Sequence, residues 1–308
     1  MVSSEDLRRR ADALDGSVVV CGVGGDAAVP NGAFPGARVT TVRELVAGRD
    51  ADPGEGDDAG GNTVGSAPDD AAGVAAVLVA ADPPLETDRV LDALAGLADL
   101  DAFVVAVAPA GVDPESLAAV RRRTDATLIA GDGGPAAAIR TFLEAVQRPG
   151  FVNLDLADAR TALSTGVAAV GTGTVAQRGD VDDAPAVAVD AAFGRLPAGI
   201  DPAGASAVLV DVVVDPETSI AAATDAIAAV RERVGTDANV IWGGAVDESA
   251  EGEIAVRIVV ADVGYAPPRS GGDPCPRCGT PLSAYAFGAR ETLSCDGCGY
   301  SGIPVGRD

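Results

Sequence analysis

The chain has 308 residues, a formal net charge of −24 and no lysine, so all 22 of its basic residues are arginine. Hydrophobic residues make up 47% and aromatics only 3%, enough for two ordinary domains whose cores valine, alanine, leucine and isoleucine must fill. Histidine is absent, which excludes histidine bases, Ser-His triads and histidine metal ligands, and so negative a field disfavours nucleic acid.

Acid richness without lysine is the composition of halophilic proteins, because concentrated salt screens the self-repulsion of so many carboxylates. Ser3-Ser4-Glu5-Asp6 leading into Leu7-Arg8-Arg9-Arg10 predicts a capped short helix within residues 1–16. No secretory leader and no uncharged apolar run of about 18 residues is present, so the expectation is a cytoplasmic protein without a membrane span.

In chain order, Ser17–Val20 predicts a strand that runs into Cys21-Gly22-Val23-Gly24-Gly25. A second strand is expected around Arg38–Thr41, and the Gly-, Asp- and Pro-rich stretch 47–73 reads as a long loop. The apolar run Val74–Ala80 predicts a buried parallel strand. Helix over Thr87–Ala98, strand over Phe103–Ala108, helix over Pro114–Arg123 and strand over Ala126–Ala130 follow. This alternation implies a parallel sheet with helices on both faces.

Pro135–Gln147 carries Ile139, Phe142, Leu143 and Val146 at helical spacing, and Pro149-Gly150 stops it. Beyond it come a helix start at Asp158–Thr165, strand Val167–Val170, helix Ala184–Phe193, strand Ala207–Val214, helix Ser219–Val234, and strands Val240–Gly243 and Ile254–Ala261. Tyr265–Asp273 reads as a linker.

The final segment holds Cys275-Pro-Arg-Cys278 and Cys295-Asp-Gly-Cys298, each pair followed by a glycine, Gly279 and Gly299. Four thiolates in paired C-x-x-C spacing are the ligand set of a structural zinc ion, with no open position for catalysis. So small a module folds by binding its metal, and a disulfide pair is disfavoured in a reducing cytosol. Arg277 and Arg290 are its only cations between Cys275 and Cys298, so the ribbon is expected to contact protein. The fifth cysteine, Cys21, reads as a small buried residue.

Phe151-Val152-Asn153-Leu154-Asp155-Leu156-Ala157-Asp158-Ala159-Arg160 is very similar to the synergy loop of the FtsZ/tubulin family, whose pattern is N-x-D-x-x-D. Gln147-Arg148-Pro149-Gly150 resembles the end of that family's central helix. Gly166-Val-Ala-Ala-Val-Gly171-Thr-Gly173 resembles its G-x-A-x-M-G-x-G stretch, and the segments Gly204–Val212 and Asn239–Gly243 resemble its C-terminal domain in order and spacing. The likeness covers about residues 139–264. It implies an α/β fold with a Rossmann-like parallel-sheet domain at 17–134, a central helix at 135–150 and an α+β domain at 151–264. The N-terminal helix (1–16), a linker (265–273) and a zinc ribbon (274–302) complete the division.

The family's synergy-loop residues correspond to Asn153, Asp155 and Asp158. The carboxylates of Asp155 and Asp158 would project into the GTP of a neighbouring subunit and orient the attacking water. By themselves the residues also fit a simpler role, capping a helix. The nucleotide half fits less well. Gly22, Gly24 and Gly25 resemble a first phosphate loop, but Asp26 and Ala27 interrupt it, and Gly60-Gly61-Asn62-Thr63-Val64-Gly65 is a second candidate that a solvated linker explains equally. After the 74–80 strand, where the family has a Gly- and Thr-rich loop, this chain has Asp82-Pro83-Pro84-Leu85-Glu86-Thr87-Asp88. Two prolines remove amide donors, and no counterpart of the family's guanine-contacting carboxylate is found. The expected function is an FtsZ-like cytoskeletal, cell-division-related protein with an eroded GTP pocket and weak or no GTPase activity. It would dock head-to-tail on FtsZ-family filament subunits or on itself. A GTPase with a rebuilt pocket and a zinc-ribbon adaptor on a relict scaffold are the alternatives.

Overall fold

The computed structural model describes residues 17–23, 34, 36–50, 74–81, 85–163, 166–176, 183–250, 252–287 and 290–302. The expected helix in 1–16, Gly24, Gly25, the Gly60–Gly65 stretch and Asp82–Pro84 lie outside the described residues. The first half runs β1 (Ser17–Val23), β2 (Ala37–Thr40), α1 (Val42–Asp50), β3 (Val74–Ala81), α2 (Thr87–Gly96), β4 (Phe103–Ala108), α3 (Pro114–Arg121), β5 (Ala126–Ile129) and α4 (Gly134–Gln147). The second runs α5 (Leu156–Ala162), β6 (Val167–Ala176), α6 (Ala184–Gly194), β7 (Ile200–Asp201), β8 (Ala207–Val214), α7 (Ala221–Val234), β9 (Asn239–Val246) and β10 (Glu253–Tyr265). A separate small sheet follows, made of β11 (Ser283–Phe287), β12 (Arg290–Ser294) and β13 (Ser301–Gly302).

Residues 47–50 of the expected loop are helical instead, as part of Val42–Asp50, and residues 51–73 lie outside the described residues. Its start is a capping box. The Glu44 amide donates to the Thr41 hydroxyl at 3.2 Å, and the Thr41 amide donates to the Glu44 carboxylate at 3.1 Å. Gly22 also differs from expectation, since it lies within β1, paired with Ala80, rather than in a loop after it.

The described residues build one ten-stranded sheet in the order β2-β1-β3-β4-β5-β6-β10-β8-β9, with β7 beside β10. Apart from this short β7 partner, β10 alone runs antiparallel to its neighbours. At the expected boundary between the halves the sheet does not break: β5 and β6 pair in parallel from Thr127↔Val167 to Ile129↔Ala169. The apolar runs of β3 and β4, and β8 with Asp211 as its one charged residue, are buried on both faces.

One face of the sheet packs against α4 and α5. Ala138, Ile139, Phe142, Leu143 and Val146 of α4 join Val18, Leu78 and Val105 from the first half and Val170, Leu209 and Val259 from the second in a single core. The opposite face divides into two cores. Val90 and Leu94 of α2 cover β1, β3 and β4, while α6 and α7 cover β6, β8 and β10. The G-x-G of β6 is a packing requirement: a Cβ at Gly171 would lie 2.2 Å from the Ala192 carbonyl oxygen, and one at Gly173 would lie 1.9 Å from that of Ala188. Only glycine lets α6 lie this close. Cys21 is fully buried, and that burial pushes its thiol up to about 12, so it is not a thiolate at neutral pH.

On the α4 face, a charge network joins helix to sheet. Asp211 of β8 is 3% exposed. Burial pushes its carboxyl up, opposed by Arg257 on the facing strand β10. Arg257 Nη1 donates to Asp211 at 2.9 Å, and its Nε donates to Glu144 of α4 at 3.2 Å. One turn on, Arg148 Nη1 pairs with Asp247 at 3.0 Å. The Ser249 hydroxyl and amide, and then Arg148, hold Asp247 down at about 2. Removing one partner of a buried pair strands the other, at a cost of about 3–5 kcal/mol. Arg257→Ala is therefore expected to lower unfolding stability by about that amount in denaturant titrations, while Arg257→Met with Asp211→Leu recovers most of it.

Candidate functional site

The loop after α4 is held on the outer strand of the sheet. The Gly150 amide donates to Asn153 Oδ1 at 2.7 Å. Val152 and Gly244 of β9 then exchange both backbone bonds, at 3.2 and 2.9 Å. Phe151 tilts against Trp242, ring centroids 6.5 Å apart. Both glycines of β9 are needed here: a Cβ at Gly243 would meet Leu154 at 2.8 Å, and one at Gly244 would meet the Phe151 ring at 2.5 Å.

This docking places Asp155 as the N-cap of α5. Asp155 Oδ1 accepts from the Asp158 amide at 2.9 Å, and Asp158 Oδ2 accepts from the Asp155 amide at 3.2 Å. The two carboxylates thus form a reciprocal capping box at a helix N-terminus that favours negative charge. Asp155 is exposed and Asp158 half-buried. Burial pushes the Asp158 carboxyl up, the Asp155 amide opposes this, and the Asp155 charge adds to it. Arg160, on the same helix, lies over the Phe103 ring at 6.0 Å and ties α5 to β4. The structure therefore brings Asn153, Asp155 and Asp158 together on one loop, which one helix cap and two glycines of another strand hold in shape. The apolar partners of that loop, Phe151, Trp242, Gly243 and Gly244, were not singled out as site residues; a Gly-Gly pair inside an apolar strand was the available signal.

At the other candidate site, the carboxyl ends of β1, β3 and β4, anions bind where helix N-termini present free amides. Here those positions are acidic. Glu86 is the N-cap residue of α2 and Asp88 lies in its first turn. Glu86 pairs with Arg89 at 2.5 Å. At α3 the Asp113 carboxylate accepts from the amides of Glu115 and Ser116 at 3.0 and 2.9 Å. The Gly111 amide in the same loop donates to the Tyr265 hydroxyl at 2.8 Å. Of the three candidate phosphate glycines, Gly22 lies in β1 and Gly24 and Gly25 are outside the described residues.

In the terminal sheet, the sulfurs of Cys275, Cys278, Cys295 and Cys298 all lie within 4.8 Å of one another. Cys275 and Cys298 are 3.6 Å apart and Cys278 and Cys295 3.4 Å, too long for the roughly 2 Å of a disulfide and near the roughly 3.8 Å edge of a tetrahedral zinc-thiolate site. Each knuckle closes through a glycine at positive φ: the Gly279 and Gly299 amides donate to the Cys275 and Cys295 carbonyls at 2.9 Å. Cys275, Leu282, Leu293 and Cys295 are its buried core, with Tyr300 packed against them. The Thr280 hydroxyl and amide beside Cys278 pull its thiol down to about 6, which suits a thiolate ligand.

The capping role of Asp155 makes a quantitative expectation. Asp155→Ala should cost about 1 kcal/mol of stability, read from the denaturation midpoint, whereas Asp155→Asn, which still accepts from the Asp158 amide, should cost less.

A model described as the FtsZ family's C-terminal domain matches residues 166–264. The cell division protein FtsZ 1 of Halobacterium salinarum is 33% identical over 126 residues, which is 41% of this chain and 31% of the relative. The cell division protein FtsZ of Haloferax mediterranei is 32% identical over 126 residues, 41% of this chain and 32% of the relative. The matched stretch thus spans about a third of the length of these curated relatives. Among solved structures, an empty FtsZ dimer from M. jannaschii shares the fold with a TM-score of 0.57 at 17% identity, over 85% of this chain and 92% of that one. Residues 166–264 thus match the FtsZ family's C-terminal domain, and the chain as a whole shares the FtsZ fold.

Proposed function

We propose that this chain is a cytoskeletal, cell-division-related protein that docks on FtsZ-family filaments through residues 150–158 while its own nucleotide edge binds GTP weakly or not at all. The observation that carries the reading is the pair of acidic helix N-termini. Glu86 and Asp88 at α2, and Asp113 and Glu115 at α3, stand where phosphates would need bare amides. A close like-charge pair costs about 4 kcal/mol near a protein surface before screening, and Pro83 and Pro84 offer no amide donors in compensation. Head-to-tail assembly propagates only when both faces are competent. A subunit with a working loop and a failed nucleotide edge would cap or tune a filament instead of extending it.

In the loop, Asp155 and Asp158 each commit one oxygen to the capping box and retain a second. Those second oxygens can accept from a water and align it on a phosphate held by a neighbouring subunit. No helix among the described residues is long and apolar enough to cross a membrane, which suits a filament-associated role.

For the terminal module, Cys275, Cys278, Cys295 and Cys298 would hold one Zn²⁺, with all four positions filled by protein, so the ion would stabilise the fold and take no part in a reaction. Residues 266–308 carry four arginines against four carboxylates, so the whole excess of −24 belongs to residues 1–265. A neutral ribbon on an acidic body suits contact with a second acidic protein.

The decisive experiment is a GTP titration of the full, zinc-loaded chain in molar KCl, followed by mixing with an intact FtsZ. Binding no tighter than millimolar is expected, together with a change in the partner's GTPase rate or filament length that Asp155→Ala/Asp158→Ala abolishes. Micromolar GTP affinity, or mixing that has no effect with the folded wild type, removes the proposal.

Freshly purified, unchelated chain should contain one zinc per molecule by elemental analysis. Cys278→Ser should lower that content and unfold the ribbon, with the far-UV signal of the larger sheet retained.

A further inference from the structure

β9 is the outermost strand at one end of the large sheet. Edge strands are ordinarily guarded by charge, proline, a bulge or shortness. At the opposite end, β2 has four residues and carries Arg38. β9 has eight residues, none charged and none proline, and its register with β8 runs unbroken from Ala207↔Asn239 to Val214↔Val246.

The direction of its backbone groups is fixed. Asn239 and Asp247 donate inward to the Ser206 and Val214 carbonyls at 2.9 Å, whereas Gly244 exchanges its bonds outward with Val152. By the two-residue period of a strand, the N–H and C=O groups of Val240 and Trp242 also point outward. No described residue pairs with them. Val152 closes the edge at Gly244 and Leu154 lies against Gly243, leaving Asn239–Trp242 open among the described residues. Beside this stretch Phe151 is 42% and Val246 56% exposed, both large apolar side chains.

We infer that β9 pairs antiparallel with β9 of a second copy of this chain, about a two-fold axis through Ile241. In that register Val240 faces the partner's Trp242 and Trp242 faces the partner's Val240. Each is a hydrogen-bonded pair, so every outward N–H and C=O of Val240 and Trp242 in both copies is satisfied. Ile241 faces its own counterpart in the closer, non-hydrogen-bonded pair. A second copy is the occupant because the open groups read the same in both directions about Ile241, which is what an isologous contact requires. An uncharged strand is also where two molecules of net charge −24 can approach without opposing carboxylates. The contact closes on itself, and although it adjoins the loop of the filament contact proposed above at Phe151, its pairing groups lie on β9, so the mass measurement tests it separately from that reading.

The test is light scattering on the full, zinc-loaded chain in molar KCl over rising concentration. The mass should climb from 30.3 kDa towards twice that value. Val240→Pro removes only an outward-pointing donor, so it should keep the circular dichroism of the parent and remain at the monomer mass where the parent is dimeric. Ile241→Cys should give a 241–241 disulfide under a mild thiol oxidant, identified by peptide mass, because facing Cα atoms of a non-hydrogen-bonded pair lie about 4.5 Å apart. A parent that stays monomeric throughout overturns the inference, as does a folded Val240→Pro that still dimerises. If Val240→Pro fails to fold, the cross-link decides alone: its absence in a folded Ile241→Cys protein overturns the inference.

Discussion

A carboxylate buried in a sheet of valines has to be met by a cation, and the position of the central helix follows from that requirement. Asp211 sits on β8 facing α4, and Arg257, directly across on β10, answers it. The guanidinium has further donors to satisfy and reaches Glu144 on the helix above. Apolar packing alone would let α4 slide along so uniform a surface of valine and alanine. The ion network adds direction and so fixes which residues of α4 face which strands. With α4 fixed, Pro149-Gly150 leaves it beside β9, and the loop carrying Asn153, Asp155 and Asp158 has one place to go.

The two candidate regions are built in opposite ways. The loop at residues 150–158 is held by backbone pairing, a side-chain lock at Asn153 and a capping box, all built from short-range geometry that salt does not weaken. The nucleotide edge would depend on attracting anions to helix ends, and those ends carry carboxylates instead. In a chain so acidic, a contact that relies on shape persists more readily than one that relies on positive potential.

Much of this was legible in the sequence because the signals were local. The apolar run Val74–Ala80 and the valine-rich stretch Ala207–Val214 read as strands, and the two C-x-x-C-G knuckles announced four converging thiols. The capping box at Asp155 and Asp158 was open to reading from spacing alone. The missed helix Val42–Asp50 had its own marker in Thr41-x-x-Glu44, masked by the glycine and aspartate of the stretch that follows it. What spacing could not give was long-range. The continuity of β5 with β6, the meeting of Asp211 with Arg257, and the bulge of β10 that puts Asp262 at a φ of 57° all depend on strands far apart in the chain. The glycines of β6 and β9 looked like family markers, but each is required by a close approach that only the assembled fold supplies.

The last turn of α4 has a consequence for the order in which the molecule folds. Gln147 reaches back to the Gly36 carbonyl at the start of β2, 111 residues away in sequence, and Arg148 reaches forward to Asp247 beyond β9, 99 residues away. Those partners adjoin the two outermost strands of the sheet. Contacts so distant along the chain bear the largest loop-closure entropy, and they form only once what lies between them is in place. The end of α4 therefore sets after both halves of the sheet have assembled, and the loop pinned to Gly244 sets with it. A partially folded chain would then present its helices and inner strands before the loop carrying Asn153, Asp155 and Asp158 has formed.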